Sequence, residues 1–146
     1  LSRRLGKNLT GGGALYVAEA YTDGEESMQS ILIADPDSAS RKALTLLLTR
    51  KLGITNYCEA GDVDTLIRLL VDEPPDILLL DWRLYGAPAP ETCRLLRKAY
   101  PSMKIVLLSV DANDSLMAQE CGAEFIHKGA SPDELVSVLE SMLKGK

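Results

Sequence analysis

The sequence contains few of the residues that build metal clusters and disulfide frameworks. Its 146 residues include three cysteines, one histidine, one tryptophan and one phenylalanine. Cys58, Cys93 and Cys121 lack metal-type spacing, and an odd number of cysteines cannot all pair within one chain. We therefore expect small buried apolar side chains and a reducing cytoplasmic location. The single histidine, His127, is expected to pack in the core or against a helix rather than to bind a ligand.

Long apolar runs and excess positive charge are also missing. No apolar stretch approaches the roughly 20 residues that a membrane-spanning helix needs, so we expect no membrane association. The net charge of −5 argues against a nucleic-acid-binding surface. Hydrophobic residues make up 46% and charged residues 25% of the chain, which is typical of a globular protein. The length suits one domain with a tail.

The first part of the chain differs in composition from the rest. Residues 1–29 begin with basic residues rather than Met, contain Gly11-Gly12-Gly13, and lack the pattern of a secretory signal. We interpret residues 1–29 as a leader, a linker or an expression remnant, and residues 30–146 as the folded domain.

Five short apolar runs alternate with amphipathic helical stretches from residue 30 onward. The predicted strands are Ser30–Ala34, Thr55–Cys58, Ile77–Leu80, Lys104–Leu108 and Glu124–His127. The third run is apolar throughout, as expected for a central strand that helices cover on both faces. Repeated βα units predict an α/β protein with a doubly wound parallel sheet, and the flavodoxin-like strand order 2-1-3-4-5 is a common arrangement.

Helix starts and buried positions follow from capping residues and apolar spacing. The first helix should begin at Asp37 or Ser38 and the second after Asp62, while Ser131, Pro132 and Glu134 form a capping box for the last. The buried positions expected in the third helix are Leu95, Leu96 and Ala99.

Four of the five predicted strands are followed by a residue whose side chain can bind phosphate or a metal ion: Asp35, Asp81, Ser109 and Lys128. The carboxyl ends of parallel strands share one edge of the sheet, where ligands bind at the point of strand-order reversal. In the expected order, strands 1 and 3 are neighbours. We therefore expect Asp35 and Asp81 side by side in a phosphate-handling pocket.

With this ordered set of residues, the chain resembles a response-regulator receiver domain over residues 30–146. The matching motifs are Ala34-Asp35-Pro36-Asp37, Leu80-Asp81-Trp82, Leu108-Ser109 and His127-Lys128. The resemblance implies a two-component signalling module in which Asp81 accepts a phosphoryl group. Its partners would be a histidine kinase or phosphotransfer protein and a downstream output protein or domain. Beyond phosphorylation and dephosphorylation at Asp81, it would not be an enzyme.

The resemblance also implies roles for other residues. Mg²⁺ would be held by Asp35, Asp81 and the main-chain carbonyl of Arg83, while Lys128 and Ser109 would contact phosphoryl oxygens. Phe125 would be the switch aromatic that follows Ser109. The fourth helix, fifth strand and fifth helix would form the responsive face, and a homodimer through it is one possibility.

Besides the loop after Asp81, Arg83–Pro88, two single positions depart from the family's usual residues. Pro36 replaces a second acid after strand 1, and Gly129 replaces the proline that normally follows the lysine. Asp37 either reaches the metal or caps the first helix, and capping is favoured. We therefore expect weak Mg²⁺ binding, and a mobile loop at Gly129.

Two alternatives remain at this point. The first is a receiver-like module that signals by protein binding without phosphorylation, which Pro36 and Gly129 favour. The second, more remote, is a haloacid-dehalogenase-like phosphatase that uses Asp35 as nucleophile and Asp37 as acid, although no late acidic pair for its metal is evident.

Overall fold

A computed structural model describes residues 29–144, and these form a parallel sheet with helices on both faces. The strands are β1 (Ile31–Ala34), β2 (Tyr57–Ala60), β3 (Ile77–Asp81), β4 (Lys104–Ser109) and β5 (Glu124–His127). The helices are α1 (Ser38–Leu52), α2 (Val63–Asp72), α3 (Ala89–Ala99), α4 (Ser115–Glu120) and α5 (Pro132–Lys144), with a 3₁₀ turn at Ala112–Asp114. The strand order is β2-β1-β3-β4-β5, which confirms the predicted fold.

Side chains alternate between two apolar layers because successive strand residues point to opposite faces. On one face, Leu32, Leu78 and Leu107 pack under α2, α3 and α4. On the other, Ile31, Leu79 and Val106 pack under α1 and α5. All five residues of β3 are buried, as expected for a central strand covered on both faces. The folded core thus fixes which strand ends meet at each edge of the sheet.

The predicted helix ends are largely confirmed. Asp37 caps α1 by accepting a hydrogen bond from the Ala39 amide, and Asp62 caps α2 through the Thr65 amide. At α5, the Glu134 amide donates to Ser131 Oγ at 3.2 Å, and the Ser131 amide donates to Glu134 Oε1 at 3.3 Å.

Several sequence predictions are wrong in detail. Strand β2 begins at Tyr57 rather than Thr55, because Ile54 turns into the core after Gly53 ends α1. Its first three residues are exposed, as befits an edge strand, so the sequence carries little apolar signal there. In α3, Leu95 is 69% exposed and Ala99 is also exposed.

The buried face of α3 consists of Ala89, Thr92, Cys93 and Leu96. These residues follow the three- and four-residue steps of one helix face, which Leu95 and Ala99 do not share. Cys93 and Cys121 are buried as predicted, and burial, with a smaller contribution from Cys121, raises the pKa of Cys93 to about 11. Cys58 is exposed, contrary to the prediction, because it lies on edge strand β2.

Within residues 29–144, no helix is both long and apolar enough to span a bilayer. The interpretation of residues 1–29 as a leader or linker falls almost entirely outside the described residues and stays a prediction.

Candidate phosphoryl-binding site

The carboxyl edge of the sheet carries a small polar cavity. Asp35 follows β1, Asp81 ends β3, Ser109 ends β4 and Lys128 follows β5. A cavity of about 250 Å³ opens between them, lined by Asp35, Pro36, Asp37, Asp81, Trp82, Arg83, Tyr85, Ser109, Val110 and Lys128. The structure thus brings together all four residues that the strand ends predicted.

One ammonium group bridges the two strand-end carboxylates. Lys128 Nζ lies 3.0 Å from Asp35 Oδ2 and 2.5 Å from Asp81 Oδ2. Both aspartate side chains are only 3% exposed, and that of Lys128 is 27% exposed. Because two buried carboxylates repel each other, the shared cation compensates for bringing them together.

The environment of Lys128 shifts its proton affinity. Burial by itself lowers the pKa of this ammonium, but hydrogen bonds from it to Asp81 and Asp35, together with their negative charges, leave the pKa raised above its ordinary value. Lys128 is therefore a fixed positive charge at neutral pH.

The Asp35 loop is held by its own backbone and by an arginine. Asp35 Oδ1 accepts a hydrogen bond from the Asp37 amide at 2.8 Å. Arg41 Nη1 donates to the Asp35 carbonyl oxygen at 2.6 Å, and its Nε donates to Glu59 Oε1 at 2.9 Å. The guanidinium thereby ties the end of β1 to edge strand β2.

The Asp81 loop is fixed in a similar way. Asp81 Oδ1 accepts a hydrogen bond from the Arg83 amide at 2.8 Å, which leaves Oδ2 for Lys128. Further along, the Val63 amide donates to the Tyr85 carbonyl oxygen at 2.8 Å. Gly86 has a φ of 119°, and a Cβ there would lie 2.9 Å from Val63 Cβ. A glycine is therefore required where this loop passes over the start of α2.

Ser109 is buried beside the cavity, but its hydroxyl is hydrogen-bonded to groups other than the carboxylates of Asp35 and Asp81. Its hydroxyl donates to Asp114 Oδ2 at 2.6 Å and accepts a hydrogen bond from the Asp111 amide at 3.1 Å. The Lys128 amide also donates to the Ser109 carbonyl oxygen at 2.7 Å, so the backbones of β4 and β5 stay joined up to the site.

The donor set is of the kind that suits Mg²⁺, which prefers oxygen ligands and binds through one or two carboxylates. Asp35 and Asp81 supply the buried carboxylates, and the Arg83 carbonyl follows directly in the Asp81 loop. Asp37 instead uses its carboxylate on α1, accepting hydrogen bonds from the Ala39 amide and from Ser40 Oγ. Among the described residues, no group of three or more His, Cys, Asp or Glu side chains is placed to hold a metal.

The loop after β5 differs from the sequence prediction. His127 is exposed rather than packed in the core or against a helix, and its Nδ1 accepts a hydrogen bond from the Gly129 amide at 2.8 Å. A Cβ at Gly129 would lie 2.9 Å from the imidazole. Gly129 was expected to make this loop mobile. Its lack of a Cβ instead leaves room for the His127 imidazole, whose hydrogen bond with the Gly129 amide constrains the loop.

Phe125 lies on β5, where it is half-buried and packs against the apolar layer that includes Leu107 and Ala118. It also borders a cavity of about 480 Å³ between β5 and α5. The ring of Phe125 thus lies between a packed apolar layer and an open cavity.

Sequence reasoning missed two residues that shape the site, Arg41 and Asp114. Each bonds to a site residue from the helix or turn that follows a strand end, at a separation of five or six positions. Neither has a distinctive motif. Their roles became visible only through the three-dimensional contacts.

Comparisons with known proteins agree with this geometry. The family model described as "Response regulator receiver domain" matches residues 31–140. A two-component response regulator of the LuxR family from an Aurantimonas species is 28% identical, with a TM-score of 0.73; the match covers 80% of this chain and 86% of that one. A response regulator, described as putative, from Chloroflexus aurantiacus is 25% identical with a TM-score of 0.72, over 80% of this chain and 98% of that one.

The fold recurs at lower identity. A CheY-like receiver domain protein from Methanospirillum hungatei is 21% identical with a TM-score of 0.72, over 81% of this chain and 95% of that one. Because the family model covers most of the sequence, the chain belongs to the response regulator receiver domain family.

Proposed function

We propose that Asp81 accepts a phosphoryl group and that its phosphorylation switches a protein-interaction face of this receiver domain. The observation that carries the proposal is the single ammonium of Lys128, held between the buried carboxylates of Asp35 and Asp81. Buried acids that serve only as turn formers need no such arrangement. Placed charges around one carboxylate are what phosphoryl transfer requires.

The proposed step is a displacement at phosphorus. A carboxylate oxygen of Asp81 attacks the phosphorus of a phosphohistidine, a P–O bond forms, and the P–N bond breaks. The imidazole nitrogen of the donor leaves with the electron pair, and Asp81 becomes an acyl phosphate. Lys128 would turn from the carboxylates to the new phosphoryl oxygens, and the position of its ammonium beside Asp81 Oδ2 supports this role.

Receiver domains typically bind Mg²⁺ at their acidic pocket, and the ion supplies charge that offsets repulsion between the carboxylates and the phosphoryl group. Here Asp35, Asp81 and the Arg83 carbonyl would hold it. We propose that binding is weak, since Pro36 contributes no carboxylate, Asp37 caps α1, and Lys128 occupies both available carboxylate oxygens.

Receiver domains are in general signalling domains that interact with histidine kinases and output domains. For this chain we propose a kinase or phosphotransfer protein as donor. The responsive face would be that of α4, β5 and α5, where Leu116 is 64% and Met117 is 42% exposed. Movement of Phe125 toward space vacated near Ser109 would couple the site to this face.

The direct test is intact-mass measurement after incubation with acetyl phosphate and Mg²⁺. We expect one added phosphoryl group on the wild-type protein and none on Asp81→Asn, which keeps the side-chain shape but lacks the nucleophilic carboxylate. Asp37→Asn is the matched control and should still be phosphorylated. An adduct that persists in Asp81→Asn would contradict the assignment.

A second candidate function is signalling by protein binding without phosphate. Pro36 favours it, because this cavity-lining residue offers no carboxylate to a metal ion. Absence of any adduct in the wild-type protein would support this candidate. The phosphatase alternative gains no support, since the Asp37 carboxylate is turned to the first turn of α1.

The proposed weak binding of Mg²⁺ can be measured separately from phosphorylation. Trp82 lines the cavity beside Asp81, so its fluorescence should report occupancy by Mg²⁺. We expect a midpoint in the millimolar range or above, and a tighter midpoint in Lys128→Met because the competing ammonium is gone. Sub-millimolar saturation of the wild-type protein would contradict the prediction.

A further inference from the structure

We infer that Asp114 is a positioning residue that holds the Ser109 hydroxyl away from Asp81 and so sets how readily the phosphorylated state forms. The inference rests on the proposed function, because it concerns the same phosphoryl group. It adds a residue outside the cavity lining that competes with the phosphoryl group for one hydrogen bond.

The competition follows from the chemistry of a hydroxyl group. Ser109 has one proton to donate, and that proton is directed to Asp114 Oδ2 at 2.6 Å. A phosphoryl group on Asp81 can receive a hydrogen bond from Ser109 only after this bond breaks. The bond has an ionised acceptor, and such bonds are stronger than neutral ones.

The surroundings keep Ser109 in this position. The residue is only 4% exposed, and the Asp111 amide donates to its oxygen at 3.1 Å. Both contacts come from the turn between β4 and α4, so the hydroxyl is oriented toward α4 by two groups of one short segment. Turning it to the phosphoryl group therefore has to disturb that segment.

The same bond connects the site to α4. Asp114 directly precedes α4 and makes no side-chain cap bond to it, while its Oδ2 accepts the hydrogen bond from Ser109. Once Ser109 turns away, the Asp114 carboxylate loses this hydrogen bond at the residue that directly precedes α4. The start of α4 would thus change its hydrogen bonding whenever the phosphoryl group captures Ser109.

The experiment compares two substitutions that remove the same charge from the same turn. Asp114→Asn weakens the bond to Ser109, whereas Asp111→Asn alters a carboxylate that accepts a hydrogen bond from the Asn113 amide and does not touch Ser109. The probe is beryllofluoride with saturating Mg²⁺, followed by Trp82 fluorescence. We expect Asp114→Asn to bind about tenfold more tightly than wild type, and Asp111→Asn to stay within about twofold.

Two further measurements separate positioning from a general structural effect. The Mg²⁺ midpoint, which does not depend on Ser109, should be the same in Asp114→Asn and wild type. In a Ser109→Ala background, Asp114→Asn should change beryllofluoride affinity by less than about twofold, because the hydrogen bond on which it acts is already gone.

The outcomes also separate this inference from the proposed function. If the wild-type protein gives no response to beryllofluoride with Mg²⁺, the proposed function fails and the inference fails with it. If the wild type responds but Asp114→Asn matches Asp111→Asn, or keeps its effect in the Ser109→Ala background, only the role of Asp114 is overturned.

Discussion

The two edges of the sheet use polar side chains in different ways. At the amino edge, charged groups bind the backbone: Lys104 Nζ donates to the Met142 carbonyl oxygen at 2.6 Å. Arg97 donates to the carbonyl oxygens of Met103 and Gly122, both at 2.7 Å. Each of these bonds joins segments that must stay together in the folded state.

At the carboxyl edge, charged side chains bind one another as well as the backbone. Lys128 contacts two buried carboxylates, and the Ser109 hydroxyl contacts the half-buried carboxylate of Asp114. None of these side-chain bonds is part of the sheet ladder, so their proposed exchange for bonds to a ligand would leave the ladder intact. The difference indicates that the amino-edge bonds hold backbone segments together, whereas the carboxyl-edge bonds hold charged groups beside one another, where we propose that a ligand competes for them.

The largest expected effect comes from removing the shared cation. Lys128→Met leaves two buried carboxylates facing each other, and we expect a loss of about 3 kcal/mol in the free energy of unfolding at neutral pH. Lys104→Met, the same substitution at the amino edge, removes one bond to a carbonyl and should cost about 1 kcal/mol. Urea denaturation measures both. Equal losses would contradict the comparison.

Arg97→Met should have an intermediate effect confined to stability. It removes two charge-assisted bonds to carbonyl oxygens from different segments, and we expect a loss of about 2 kcal/mol in the free energy of unfolding. Beryllofluoride affinity should stay unchanged because the residue lies at the opposite edge. Weaker ligand binding by the folded variant would show that the two edges are not separable.

The smallest expected effect is the pH dependence of the stabilisation that Lys128 provides. The pKa of Lys128 is higher in the folded state than in the unfolded state, where it is about 10.4. The ammonium therefore contributes its full stabilisation below the unfolded-state pKa. This stabilisation is lost as the pH rises through the higher folded-state pKa. The stability difference between wild type and Lys128→Met should therefore be constant from about pH 8 to 10 and shrink above that range. A difference that already shrinks below pH 9 would contradict the sign of the shift.

Strand ends and capping residues were predictable because their signals are local. Asp35, Asp81, Ser109 and Lys128 stand directly after apolar runs, and the order of those runs fixes their meeting at one edge. The start of β2 was not predictable, since Tyr57 and Cys58 lie on an exposed edge with no apolar pattern. The contacts of Arg41 and Asp114 depend on side-chain geometry that no spacing rule encodes.

His127 and Gly129 illustrate the same limit. Considered alone, His127 suggested a side chain packed in the core or against a helix, and Gly129 suggested a mobile loop. Together they form a hydrogen bond that only fits without a Cβ at position 129. Sequence reasoning that treats positions one at a time misses such compensating pairs.

The central claim is that the polar bonds of the carboxyl edge exchange for bonds to a phosphoryl group while the rest of the fold stays fixed. A crystal structure with Mg²⁺ and beryllofluoride tests it most directly. We predict that Lys128 Nζ leaves Asp81 Oδ2 for a fluorine atom and that Ser109 Oγ leaves Asp114, with the amino-edge bonds of Lys104 and Arg97 unchanged. A structure with no beryllofluoride on Asp81 and with both side-chain bonds intact would contradict the account.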